Sequence, residues 1–151
     1  METPRLRSAD IPQAEDLTEV RELVSALLEV GTSTDALADH TGFSDRHVCY
    51  RLHAAKVLGL IDGKRALTDR GDRLLATPPG SPDERSALAE AVASCPVVKL
   101  VAPDLLTAQA LDLDQVSTAL AQVAGLSAST AARRARILEA WRQQLAEPAP
   151  E

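Results

Sequence analysis

Gly42 and Gly125 stand 83 residues apart, and each is followed by a serine two positions later and an arginine nine positions later. Nothing else in the chain restricts its folding as much. Laid over each other at that offset, residues 36–51 and 119–134 agree at Ala36/Ala119, Leu37/Leu120, Ala38/Ala121, Gly42/Gly125, Ser44/Ser127 and Arg51/Arg134. Alanine and leucine matches come easily in this composition, but the glycine and serine have a physical requirement behind them. Glycine tolerates the left-handed backbone that ends one helix, and a serine two residues on accepts the orphan amides that begin the next. The spacing predicts two copies of a helix, a tight turn and a second helix. The second helix of the later copy runs on through Ile137, Leu138, Trp141 and Leu145.

Around this repeat, residues 16–30 carry Leu17, Val20, Val24, Leu27 and Leu28 at helical spacing, which predicts an amphipathic helix ended by Gly31. Asp35–His40 reads as a short helix, and Ser44 caps a longer one to about Leu58, with Val48, Leu52, Ala55 and Leu58 on its apolar face. Two brief apolar runs flank Asp62-Gly63-Lys64-Arg65 and predict a small β-hairpin with a basic tip. Residues 69–76 return to helix. Ser81 to Glu84, with Pro82 between them, forms a capping box for a helix to about Ser94. Pro96 is expected to break that helix, leaving 97–101 as a buried strand or an extended connector. The division that follows is a flexible segment 1–15, a domain 16–77, a Pro-rich linker 78–82, a second domain 83–145 and a flexible tail 146–151.

Phe43, Tyr50 and Trp141 are the only aromatic residues, so the core has to be aliphatic, and the shortage argues against a base-stacking platform for single strands. No apolar stretch approaches the roughly 20 residues of a membrane span, and Met1–Arg5 lacks the apolar core of a secretory signal. Cys49 and Cys95 allow one bridge at most, which fits a reducing, cytoplasmic setting. A net charge of −6 argues against a polyanion partner when averaged, but the charge is uneven. Residues 44–74 hold seven basic and four acidic side chains, and 127–151 hold four and three. Both basic islands coincide with the second helix of a repeat copy.

The string Tyr50–Ile61, followed by Leu67-Thr68-Asp69-Arg70-Gly71, resembles the winged helix-turn-helix DNA-binding family. In that family a recognition helix runs into leucine-glycine-leucine-isoleucine, and leucine-threonine-x-x-glycine leaves the wing. The resemblance spans about residues 17–76. Ser127, Ser129, Thr130, Arg133, Arg134, Ile137 and Trp141 look like the later half of tandem winged-helix modules found in bacterial regulators and beside restriction-type nucleases and mobile-element systems. The resemblance implies a mainly α chain. A winged helix-turn-helix of three helices plus a small β-hairpin would be followed by a second, wingless helix-turn-helix domain.

The function so implied is sequence-specific binding of double-stranded DNA, by a transcriptional regulator or the recognition component of a defence or mobile-element system. Ser44, Asp45, Arg46, His47, Tyr50 and Arg51 would face the major groove, with Arg46 placed for a bidentate guanine contact. Lys64 and Arg65 would meet phosphates or the minor groove, and Thr34 a phosphate at the start of its helix. In the second copy the corresponding face holds Ala128, Ser129, Thr130, Arg133 and Arg134, about one DNA turn from the first. The alternative is a protein–protein adaptor, which suits a sequence pI near 5.1. Under either reading, the apolar first helix or the region around Trp141 is a candidate surface for a homodimer or another protein partner. There is no phosphate loop, nucleophile elbow or His–Glu pair, and His40, His47 and His53 lack metal-ligand spacing. No catalytic residue, metal or cofactor is expected, and the chain is not expected to be an enzyme.

Overall fold

The computed structural model describes residues 6–146 and is mainly helical. Its helices are α1 (Leu17–Val30), α2 (Thr34–Thr41), α3 (Asp45–Val57), α4 (Asp69–Leu75), α5 (Pro82–Ala93), α6 (Pro96–Val101), α7 (Leu113–Ala124) and α8 (Ala128–Leu145). Most begin where the sequence supplies a short polar acceptor: Asp16, Ser33, Ser44, Thr68, Ser81, Asp112 and Ser127 each take a backbone amide of the first turn. Residues 1–5 and 147–151, the outer parts of the expected flexible ends, lie outside the described residues. Among the described residues no helix is long and apolar enough to cross a membrane.

The repeat is a repeat of structure. α2 ends at Gly42 (φ 80°, ψ 3°) and α7 at Gly125 (φ 64°, ψ 30°), both left-handed. Two residues later Ser44 accepts from the His47 amide at 3.2 Å, and Ser127 from the Thr130 amide at 3.3 Å. The offset also preserves burial: Leu37 and Leu120 are both buried, as are Val48/Ala131, Leu52/Ala135 and Ala55/Leu138. α7 and α8 pack on each other, as α1, α2 and α3 do.

Several expectations are corrected. The wing contracts to one antiparallel bridge, Ile61 to Leu67, and no strand is found among the described residues. The left-handed residue of its turn is Arg65 (φ 63°), while Gly63 has no positive φ. The Asp62 carboxylate takes the amides of Lys64 (2.8 Å) and Ala66 (3.0 Å), and Thr68 immediately caps α4, so no room remains for a ladder. Those two amides hold the Asp62 carboxyl below its ordinary value. Pro96 does not leave a strand behind it; it opens α6 at the first helical position, where its missing amide costs nothing. On α1, Leu23 joins the buried stripe, whereas Leu28 is 66% exposed.

Residues 6–16, of which 6–15 belong to the segment read from sequence as flexible, form a strap that stitches the two copies together. Ile11, Pro12 and Ala14 are buried. The Leu6 amide donates to the Val123 carbonyl at 2.8 Å, and the Trp141 indole N–H to the Ala14 carbonyl at 2.9 Å. Gln144 donates to the Glu15 carbonyl (2.6 Å) and accepts from the Leu17 amide (2.7 Å), while His53 of α3 meets the Ala9 carbonyl. The buried Arg21 pins both ends of the Pro-rich linker, pairing with Glu84 and donating to the Thr77 carbonyl at 2.7 Å. The buried side chains accordingly form one contiguous cluster from Ile11 to Leu145 rather than two separate cores. Trp141, wholly buried within it, offers no surface to a second chain.

Candidate nucleic-acid interface

The amino-terminal turn of α3 presents Ser44, Asp45, Arg46 and His47 to solvent. They are exposed because the helix buries Val48, Leu52 and Ala55 on its other side. Asp45 lies in the first turn, where the helix dipole favours a carboxylate. Arg46 reaches along the helix: its Nε donates to the Tyr50 hydroxyl at 2.8 Å, and its guanidinium lies 5.3 Å from the centre of the Tyr50 ring. This contact restrains Arg46 while leaving it in solvent.

Arg51 is not available in the same way. It pairs with Glu19 of α1 and lies 4.1 Å above the Phe43 ring. Arg134, its partner in the repeat, is 5% exposed and donates to the carbonyls of Ser8 (3.3 Å) and Ile11 (3.1 Å) and to the Ser8 hydroxyl (3.3 Å). Burial, and secondarily the neighbouring Arg133, lower the Arg134 pKa, while Tyr50 opposes the shift. Both arginines sit directly before a residue of the buried stripe, Leu52 or Ala135, and are drawn inward at its flank. Arg65 likewise folds back, donating to the Thr32 carbonyl at 2.8 Å and the Thr34 hydroxyl at 3.0 Å. That contact engages the Thr34 side chain expected at a phosphate. Lys64 stays exposed.

On α8, Ser129 and Arg133 are exposed, and Thr130 is half-buried with its hydroxyl 3.0 Å from that of Ser127. His47, Tyr50 and Arg51 of α3 line one groove of about 540 Å³ together with Arg133, Arg136 and Ile137 of α8. Gln13, Ala14, Glu15 and Asp16 of the strap, with Glu19, complete its lining. Two helices sharing such a groove are not separated by a DNA turn of about 34 Å. The strap and the common core hold them side by side. Arg136 was not among the expected contacts, although its position three residues after Arg133 places both on one helix face. The carboxylates of Glu15, Asp16 and Glu19 come from elements distant in sequence from either helix, and no local pattern marks them.

The cysteines are both free, Cys49 exposed on α3 and Cys95 buried. The Cys95 thiol donates to the carbonyls of Val57 and Ala91, each at 3.4 Å, and burial pushes its pKa up to about 12. Comparison of the chain with protein-family models, curated proteins and solved structures finds no match.

Proposed function

We propose that the chain binds double-stranded DNA sequence-specifically, α3 reading bases in the major groove and α8 contacting the adjacent phosphate backbone. It would act as a transcriptional regulator or as the recognition component of a defence or mobile-element system. The observation that carries this reading is an exposed Arg46 in the first turn of α3, beside a groove that also holds the exposed Arg133 and Arg136. Base readout comes from the amino-terminal turn of a recognition helix, and an arginine bidentate to guanine discriminates by about 1–3 kcal/mol. The equivalent turn of α8, Ala128-Ser129-Thr130, carries no cation. Its arginines lie a turn further on, where they suit phosphates rather than bases. The acidic remainder of the chain repels duplexes that are not seated on this face.

Selection of bound duplexes from a random pool at about 50 mM salt, followed by sequencing, is the test. One contiguous motif is expected. Arg46→Ala relaxes the preference at a single base position, and Arg133→Ala weakens all sequences alike and lowers the salt slope by about 1. Retention of no duplex overturns the proposal. The second reading, a protein adaptor, is favoured by the internal use of Arg51 and Arg134 and by Leu28 and Val30 standing 66% and 36% exposed at the end of α1. Under it, Arg46→Glu leaves partner capture intact.

A further inference from the structure

Besides the Arg51–Glu19 pair, the groove between α3 and α8 holds charges of opposite sign that form no ion pair with each other. Arg133 and Arg136 of α8 and Glu15 and Asp16 of the strap line a single cavity of about 540 Å³. The ion pairs among the described residues are Arg21–Glu84, His40–Glu29, Arg51–Glu19 and Arg142–Glu139. Neither Arg133 nor Arg136 is neutralised in them, and neither is Glu15. Asp16 caps α1 through one carboxylate oxygen, which accepts from the Thr18 and Glu19 amides at 2.9 and 3.2 Å. Ala14, Ile137 and Tyr50, the last restrained by Arg46, line the same cavity. The volume falls within the range of about 300–1,000 Å³ typical of small-molecule pockets.

A purely anionic ligand in this groove would face two carboxylates, and a purely cationic one two guanidinium groups. A molecule bearing both charges on a short body can satisfy both sets of groups. We propose that the groove is a binding site for an amphoteric small molecule of the amino-acid or short-peptide class. Its carboxylate lies on Arg133 and Arg136, which suit the planar, bidentate geometry of that group. Its ammonium lies at Glu15 beside Asp16, and its side chain covers Tyr50, Ala14 and Ile137. The site is independent of the DNA reading. Where that reading also holds, a bound ligand withdraws Arg133 and Arg136 from phosphates and acts as a releasing effector.

Calorimetric titration of the full chain, without DNA, tests the site. The panel is the twenty amino acids and a set of dipeptides, with acetate, inorganic phosphate and ethylamine as single-charge controls. At least one amphoteric compound is expected to saturate one site with a Kd below about 1 mM, the controls binding about tenfold or more weakly. Arg133→Gln and Glu15→Gln each weaken binding by about tenfold or more, as loss of a charge-assisted contact does. Arg73→Gln, exposed on α4 and outside the groove, leaves it unchanged. Failure of every amphoteric compound to saturate overturns the proposal. So does phosphate binding as tightly, or indifference to Glu15→Gln. Duplex selection is a separate experiment, so either claim fails without the other.

Discussion

Replacing Arg134 separates a structural clamp from a DNA contact. Its guanidinium makes three hydrogen bonds to the strap, at 3.1–3.3 Å, and no ion pair among the described residues includes it. Hydrogen bonds to a charged group contribute about 1.5–3 kcal/mol each, but burying an unpaired cation costs several kcal/mol, so the contacts do not simply add. What Arg134→Ala leaves behind is the buried Ile11 carbonyl without its donor, at about 1–3 kcal/mol, and the space of the missing side chain, while the Ser8 carbonyl still accepts from the Ile11 amide at 3.2 Å. With the desolvation cost of the cation relieved, the net loss is about 3 kcal/mol. Arg134→Met refills the volume and is expected to lose about half as much. For 151 residues each kcal/mol moves Tm by about 2–4 °C, so Arg134→Ala melts roughly 9 °C lower. Circular dichroism against temperature and urea measures this, and limited proteolysis reports earlier cleavage within residues 6–16. On the proposed DNA reading, duplex affinity at 10 °C, where both proteins are folded, stays within about threefold, well under the tenfold that 1.4 kcal/mol represents. An unmoved Tm combined with a tenfold loss of duplex affinity refutes the clamp and returns Arg134 to the DNA.

Two further substitutions and one pair of thiols test the packing. A Cβ on Gly71 would lie 2.2 Å from the Leu60 carbonyl oxygen, so Gly71→Ala must displace α4 and costs at least about 2 kcal/mol in urea unfolding. Gly42 has nothing within 4 Å of the same atom, so Gly42→Ala pays only for its left-handed backbone, about 1 kcal/mol, and Gly42→Asn less. A thiol reagent labels Cys49 immediately and Cys95 only as the fold opens. The Cys95 thiol is raised from 9.0 to about 12 on folding, so its contribution is full below pH 9.0 and is lost as pH rises from there through about 12. Wild type therefore loses stability relative to Cys95→Val across that alkaline window, and parallel profiles would contradict the burial of the thiol.

Features decided within a few residues were legible before any coordinates. Ser44, Ser81 and Ser127 cap helices because a cap needs only a short acceptor and the amides two or three residues on. The leucine-threonine-x-x-glycine segment stood out only by resemblance, as the exit from a wing; its physical use is local, Thr68 capping α4 and Gly71 leaving space for the Leu60 carbonyl. Distant partners hid the rest. Arg51 finds Glu19 across 32 residues, and Arg134 finds Ser8 across 126, so their inward turn has no local signature. The Asp62-Gly63 pair promised a hairpin turn, but the aspartate's capture of two amides moved the left-handed residue to Arg65. Proline is ambiguous in a different way, since Pro96 reads equally as the end of one helix or the first residue of the next.

The repeat itself changes meaning once burial is known. Residues identical in the two copies are those both copies need in order to fold: the core leucines Leu37 and Leu120, the turn glycines, the cap serines, and the tethers Arg51 and Arg134. Sequence identity drew attention to the paired arginines as readers, yet a side chain kept by both copies of a scaffold is most simply kept for the scaffold. The outward positions differ between copies: Arg46 against Ser129, His47 against Thr130, Tyr50 against Arg133. On the proposed DNA reading a bound duplex would present different chemistry to each helix, bases to one and phosphates to the other, so the surface that meets it would have no reason to match. Recognition in this chain is therefore sought where the copies disagree, at the amino-terminal turn of α3 and the second turn of α8, and the strap that holds those two turns beside one groove belongs to the site as much as the cations do.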